Sequence, residues 1–196
     1  MIERISIAII EYLLKKQVIS EDEKEYYRYG VEITISSILN VILILLIGVI
    51  FKSITESLVF LILFVPLRQF TGGYHADTYL MCNTLFCGLY LLVLLLYKST
   101  YLLVTTYMSV LITFISVSIF IIMCPIEHIN KPIAPANKKR HKITAALLGT
   151  VYGAAGTMLT ALSNKYGVIV LYTLLLVCVL VVAAKCRKGG VMYEED

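Results

Sequence analysis

One short stretch of this chain could do chemistry: Arg68-Gln69-Phe70-Thr71-Gly72-Gly73-Tyr74-His75-Ala76-Asp77-Thr78-Tyr79-Leu80-Met81-Cys82-Asn83. It gathers a guanidinium, a glycine pair, an imidazole, an acid and a thiol between two long apolar runs. A thiolate is the strongest nucleophile among the side chains, but a free thiol is mostly protonated at neutral pH. An adjacent imidazole can take its proton and later return it to a leaving amine. His75 and Cys82 would therefore suit peptide-bond cleavage through a thioester. The competing reading is structural, with Cys82 a buried small hydrophobe, Gly72-Gly73-Tyr74 a turn and His75 an interfacial side chain.

Spacing constrains the backbone between them. On one continuous helix His75 and Cys82 would share a face, yet lie about 10 Å apart along the axis. That is too far for a hydrogen bond, so the helix must break between or before them and fold His75 back. Gly72 and Gly73 supply the backbone freedom, and Asp77 or Thr78 can cap the helix that follows. Cys82 then lies about one turn inside that helix, near the positive end of its dipole.

The elements that must position this pair are membrane helices. Of the 196 residues 59% are hydrophobic and 15% charged, and the mean hydropathy is +0.86. Soluble domains carry about a quarter charged residues, and apolar runs of this length read as spans. The expected fold is all-α: a polytopic bundle of six spans behind an N-terminal amphipathic helix. Over 2–19, Ile2, Ile5, Ile9 and Leu13 form one face while Glu3, Arg4, Glu11, Lys15 and Lys16 lie elsewhere, a pattern for an interfacial helix and not for a cleavable signal peptide. Ser20 and Glu23 form a capping box for a second helix, and Tyr26, Tyr27 and Tyr29 sit at headgroup depth.

Spans are predicted at 31–51, 54–67, 79–97, 101–123, 143–162 and 166–184. The second covers only roughly 21 Å of a core about 30 Å thick, so it thins the bilayer, extends through flanking residues or spans partially. The expected organisation is juxtamembrane helices over 1–30, a membrane domain over 31–184 with a catalytic loop at 68–82 and a basic loop at 125–142, and a tail at 185–196. Lys52, Lys98 and Lys165 fall on one side, leaving fourteen of the 17 Lys and Arg residues on the other. The positive-inside rule then puts both termini, and the 68–82 loop, in the cytoplasm. Five cysteines without a CxxC pair suggest neither a disulfide framework nor a zinc ribbon.

In order and spacing, Arg68, the Gly72-Gly73-x-His75-Ala76 run and Cys82 resemble the motif of the AgrB family, the membrane endopeptidases of Gram-positive peptide quorum sensing. The resemblance covers nearly the whole chain, more loosely at Cys124-Pro125 and Asn130-Lys131-Pro132. It implies that Cys82 is the nucleophile and His75 its general base. It also implies an AgrD-type precursor peptide as substrate, cut at its C-terminal tail and closed to a thiolactone or lactone by an internal thiol or hydroxyl. Exchange of one acyl bond for another needs no ATP and no cofactor, and a water-poor site favours ring closure over hydrolysis. The implied partners are that peptide and the lipid bilayer, with no nucleic acid.

Around the pair, each supporting residue has two readings. Arg68 is an interface anchor, or holds a precursor carboxylate or Asp77. Asp77 is a helix cap or orients His75. Gln69 and Asn83 donate to a developing oxyanion or pack between helices. Lys52 and Glu56, four apart, suggest a surface ion pair. Asn40 and Thr105, Thr106, Ser109, Thr113 and Ser116 read as interhelical hydrogen bonding. His128 and His141 read as solvated, and the Lys131–142 cluster as a contact for anionic headgroups or an acidic part of the precursor. Ala145, Gly149, Gly153, Thr157 and Ala161 form a small-residue stripe, either a seam within the bundle or a homodimer contact.

Two other function classes compete. A small peptide exporter would line a pathway with His75 and Asp77, but the spans carry few ionisable residues and no inverted repeat. A metal site at His75, Asp77 and Cys82 lacks closely spaced ligand pairs.

Overall fold

The computed structural model describes residues 2–72, 78–126 and 135–189. Within them the chain is helical: α1 (Ile2–Lys15), α2 (Lys24–Ile50), α3 (Ile54–Thr71), α4 (Tyr79–Thr100), α5 (Thr106–Met123), α6 (Pro135–Ala161) and α7 (Tyr166–Gly189). Six helices are long and apolar enough to cross a membrane, at Glu21–Ile50, Ile54–Thr71, Tyr79–Thr100, Thr106–Met123, Asn137–Ala161 and Tyr166–Cys186. The chain is a membrane helix bundle, as its composition requires.

Local chemistry explains most boundaries. The Glu23 carboxylate accepts from the Ser20 backbone N–H at 3.0 Å, half of the anticipated capping box, ahead of a short 3-10 turn that runs into α2. Thr105 starts α5 by accepting from the Met108 N–H, so the fourth span begins five residues later than expected. The second span is longer than its apolar run: α3 passes through Pro66 and continues to Thr71. Its 18 residues reach about 27 Å, close to the hydrocarbon thickness. Leu67 and Thr71 are buried there, so packing carries the helix beyond its apolar stretch. Likewise α6 begins at Pro135, placing Lys138, Lys139, Arg140, His141 and Lys142 on a helix and not in the expected basic loop.

α7 is the central element, with 67% of its apolar window buried against 17–39% for the other spans. Its Val168, Ile169, Leu171, Leu174, Val177 and Val181 are buried on several faces, as an all-round apolar helix demands. α6 packs on α5 through its small residues. A Cβ on Gly149 would meet the Phe120 ring, and one on Gly153 the Thr113 side chain. Thr113 also donates to the Gly153 carbonyl at 3.2 Å and pairs with Thr157. The stripe is thus a seam inside the bundle. Gly153→Leu is expected to destabilise the protein by about 1–3 kcal/mol through overpacking. A thermal melt in detergent checks this, and an unmoved melt would mean the seam yields without strain.

On α1, Ser6 and Ile10 are buried against the bundle while Ile5 and Ile9 are exposed, which leaves an apolar surface for lipid. One expectation changes. Glu56 is no surface partner of Lys52: it is buried, accepts from the Tyr97 hydroxyl at 3.3 Å, and lies 4.0 Å from Lys165. Lys98 donates to the Phe51 carbonyl nearby. The α2–α3 turn, the end of α4 and the α6–α7 turn therefore share one end of the bundle. The end of α3 and the start of α4 lie at the opposite end.

Candidate functional site

α3 ends at Thr71, and α4, which carries Cys82, starts at Tyr79. Gly73, His75 and Asp77 lie outside the described residues. Of the two residues expected to cap α4, Thr78 takes the position: its hydroxyl accepts from the Met81 N–H at 3.2 Å. Cys82 follows one turn in, its N–H bonded to the Thr78 carbonyl at 3.0 Å, with a half-buried side chain.

The end of α3 is held by a third segment. Gly72 forms a parallel bridge with Ile126, just beyond α5, and the Ile126 N–H donates to the Thr71 carbonyl at 3.0 Å. Gly72 adopts φ +68 and ψ −155, and a Cβ there would strike the Ile126 carbonyl oxygen. Only glycine fits both demands. Arg68 curls over this junction, donating to the Gly72 carbonyl, and its guanidinium is within electrostatic reach of the Cys82 and Cys124 thiols.

Burial distinguishes the two sulfurs. Burial, reinforced by Cys178, outweighs Arg68 and pushes the Cys124 thiol up to about 12. Cys124 therefore stays protonated and inert as a nucleophile. Cys82 is the more accessible of the two.

Not every supporting residue turns toward this sulfur. The Asn83 side-chain oxygen accepts from Ser36 at 2.9 Å and from Asn40 at 3.0 Å, both on α2. That is interhelical packing, and it also accounts for Asn40. Gln69 is exposed on the last turn of α3. His141 is not solvated: its ring packs edge-on against Phe70 with centroids 5.4 Å apart.

One residue near the site escaped the sequence reading. Glu32 is buried and accepts from Ser6, Arg28 and Tyr79. The signal was present, since Glu32 is the only charged residue between positions 31 and 51, and an ionisable group within a span is by default more than an anchor.

The family model for Accessory gene regulator B matches residues 6–181. The chain belongs to the AgrB family. AgrB-like protein 2 of Clostridium perfringens (strain 13 / Type A) is 27% identical over 158 residues, covering 78% of this chain and 74% of that protein. An AgrB-like protein of Clostridium perfringens (strain SM101 / Type A) is 26% identical over the same length, with the same coverage. No solved structure matches the chain. Membership of the AgrB family, a peptidase-like family, associates the chain with accessory gene regulator quorum sensing, with a peptide substrate and with the membrane.

Proposed function

We propose that this AgrB-family protein is a membrane cysteine endopeptidase that cleaves the C-terminal tail from an AgrD-type precursor and promotes closure of the remaining peptide to a thiolactone or lactone. The observation that carries the reading is the half-buried Cys82 one turn inside α4, with the Arg68 guanidinium within electrostatic reach of its thiol. The chemistry falls within 31–184, and 1–30 and 185–196 serve as interfacial and tail segments. The termini and the site face the cytoplasm, where a newly made precursor is met, in keeping with the charge asymmetry.

His75 removes the Cys82 proton, and the sulfur attacks the scissile carbonyl. The tetrahedral oxyanion gains a nearby positive charge from Arg68. As the C–N bond breaks, the imidazolium protonates the leaving amine, and the precursor remains acylated on Cys82. An internal thiol or hydroxyl of the peptide then attacks the thioester. Its proton passes to His75, the C–S bond to Cys82 breaks, and the ring leaves with the enzyme thiolate restored.

The intermediate is the test. Wild-type protein co-produced with a candidate precursor should carry, on the peptide containing Cys82, an adduct of the truncated precursor's mass that hydroxylamine removes. Intact precursor in the medium, with no Cys82 adduct at any time, would instead indicate an exporter.

A further inference from the structure

Glu32 is a carboxylate 8% exposed within a span, a placement that demands partners. It has three, on three helices. Ser6 of α1 donates to Oε1 at 3.0 Å, Arg28 donates to the same oxygen at 3.1 Å from one turn earlier on α2, and Tyr79 of α4 donates to Oε2 at 2.9 Å. Tyr79 is the first residue of α4, three positions before Cys82.

This contact is one rung of a polar ladder. Glu32, Ser36 and Asn40 recur every fourth residue and so share one face of α2, and Tyr79 and Asn83 share one face of α4. Tyr79 binds Glu32, and Asn83 binds Ser36 and Asn40. Two consecutive rungs fix rotation about the α4 axis as well as distance. Cys82 is about 60° around the helix from Tyr79 and about 100° from Asn83, on the flank away from Asn83. The ladder holds α2 on the Tyr79 and Asn83 side of α4 and leaves the sulfur off that face, within electrostatic reach of Arg68. Ser6 adds a link outward, because the carboxylate that holds Tyr79 also docks α1.

We propose that Glu32 is a positioning residue for the reaction at Cys82: through Tyr79 it sets the rotation of the first turn of α4, and through Ser6 it makes that setting depend on α1 being docked. The inference rests on the endopeptidase reading.

The test uses the full chain in liposomes with two independent readouts. One is kcat and KM on an AgrD-type precursor. The other is the rate at which N-ethylmaleimide modifies Cys82, followed by peptide mass. Tyr79→Phe and Glu32→Ala should each lower kcat about 10- to 100-fold with KM within about twofold, and alter the alkylation rate of Cys82. Glu32→Gln, which keeps an acceptor and shape, should restore most of the loss. Ser6→Ala should lower kcat less, about threefold, and add nothing to Glu32→Ala, since both act through one carboxylate. Unchanged kcat and alkylation in folded Tyr79→Phe overturn the proposal, as does a loss confined to KM or one that Glu32→Gln fails to restore. If wild type cleaves no precursor but Cys82 alkylation still responds to Tyr79→Phe, the positioning role stands and the endopeptidase reading falls.

Discussion

Cys82→Ala is expected to abolish precursor cleavage, with a loss of about 10,000-fold or more, the scale on which removing a nucleophile eliminates covalent catalysis. At that scale the barrier rises by about 5 kcal/mol. The fold should survive, since Cys82 is half-buried and its N–H, not its thiol, bonds to Thr78. Cys82→Ser keeps the shape but substitutes a hydroxyl far less acidic than a thiol, and should fall nearly as far. Because nucleophile and base act as a unit, His75→Ala should reach the same floor, and the double substitution should go no lower. Following intact and truncated precursor by mass over time measures all four proteins. Cleavage persisting in Cys82→Ala would falsify the mechanism outright. The neighbouring Cys124→Ala should leave cleavage intact, since burial keeps that thiol protonated.

Gly72→Ala should be the most damaging change among residues that never meet the substrate. At φ +68 and ψ −155 the backbone is in a region essentially confined to glycine, and an added methyl would strike the Ile126 carbonyl oxygen. The strain alone costs about 1–3 kcal/mol. Relief would come from parting the Gly72–Ile126 bridge, which withdraws the carbonyl that Arg68 caps. Arg68 would then shift relative to Cys82, and misplacement of about 1 Å can lower the rate about 100-fold. Cleavage should therefore fall about 100-fold while the protein still inserts and α7 stays buried. Steady-state cleavage and a thermal melt on the same preparation separate the two effects. Wild-type activity in Gly72→Ala would show that the bridge does not hold the site.

The candidate residues for the proposed chemistry were legible for a plain reason. In a span region almost empty of ionisable groups, a thiol, an imidazole, a guanidinium and a glycine pair stand out by type. The need for a helix break before Cys82 followed from the rise per residue alone, and Thr78 advertised the next start by its capping chemistry. Span boundaries were less legible. Leu67 and Thr71 are helical because of what they pack against, and hydropathy windows record only composition. Glu32 shows the same limit from the other side. One carboxylate in an apolar run signals that partners are needed but does not name them, because Ser6 and Tyr79 are distant in sequence.

Composition and period thus specify that this chain is a bundle of apolar helices with a thiol placed near one helix start, since hydrophobicity, helical rise and capping are properties of neighbouring residues. Other features arise only when distant segments meet. They include α7 at the centre, α6 turned so that Gly149 and Gly153 face α5, the end of α3 bridged to Ile126, and Asn83 claimed by α2. Rotation of one helix against another depends on which side chains interdigitate and which buried polar groups find partners, and a hydrogen bond such as that of Tyr79 to Glu32 joins residues 47 positions apart. No local pattern encodes such a choice.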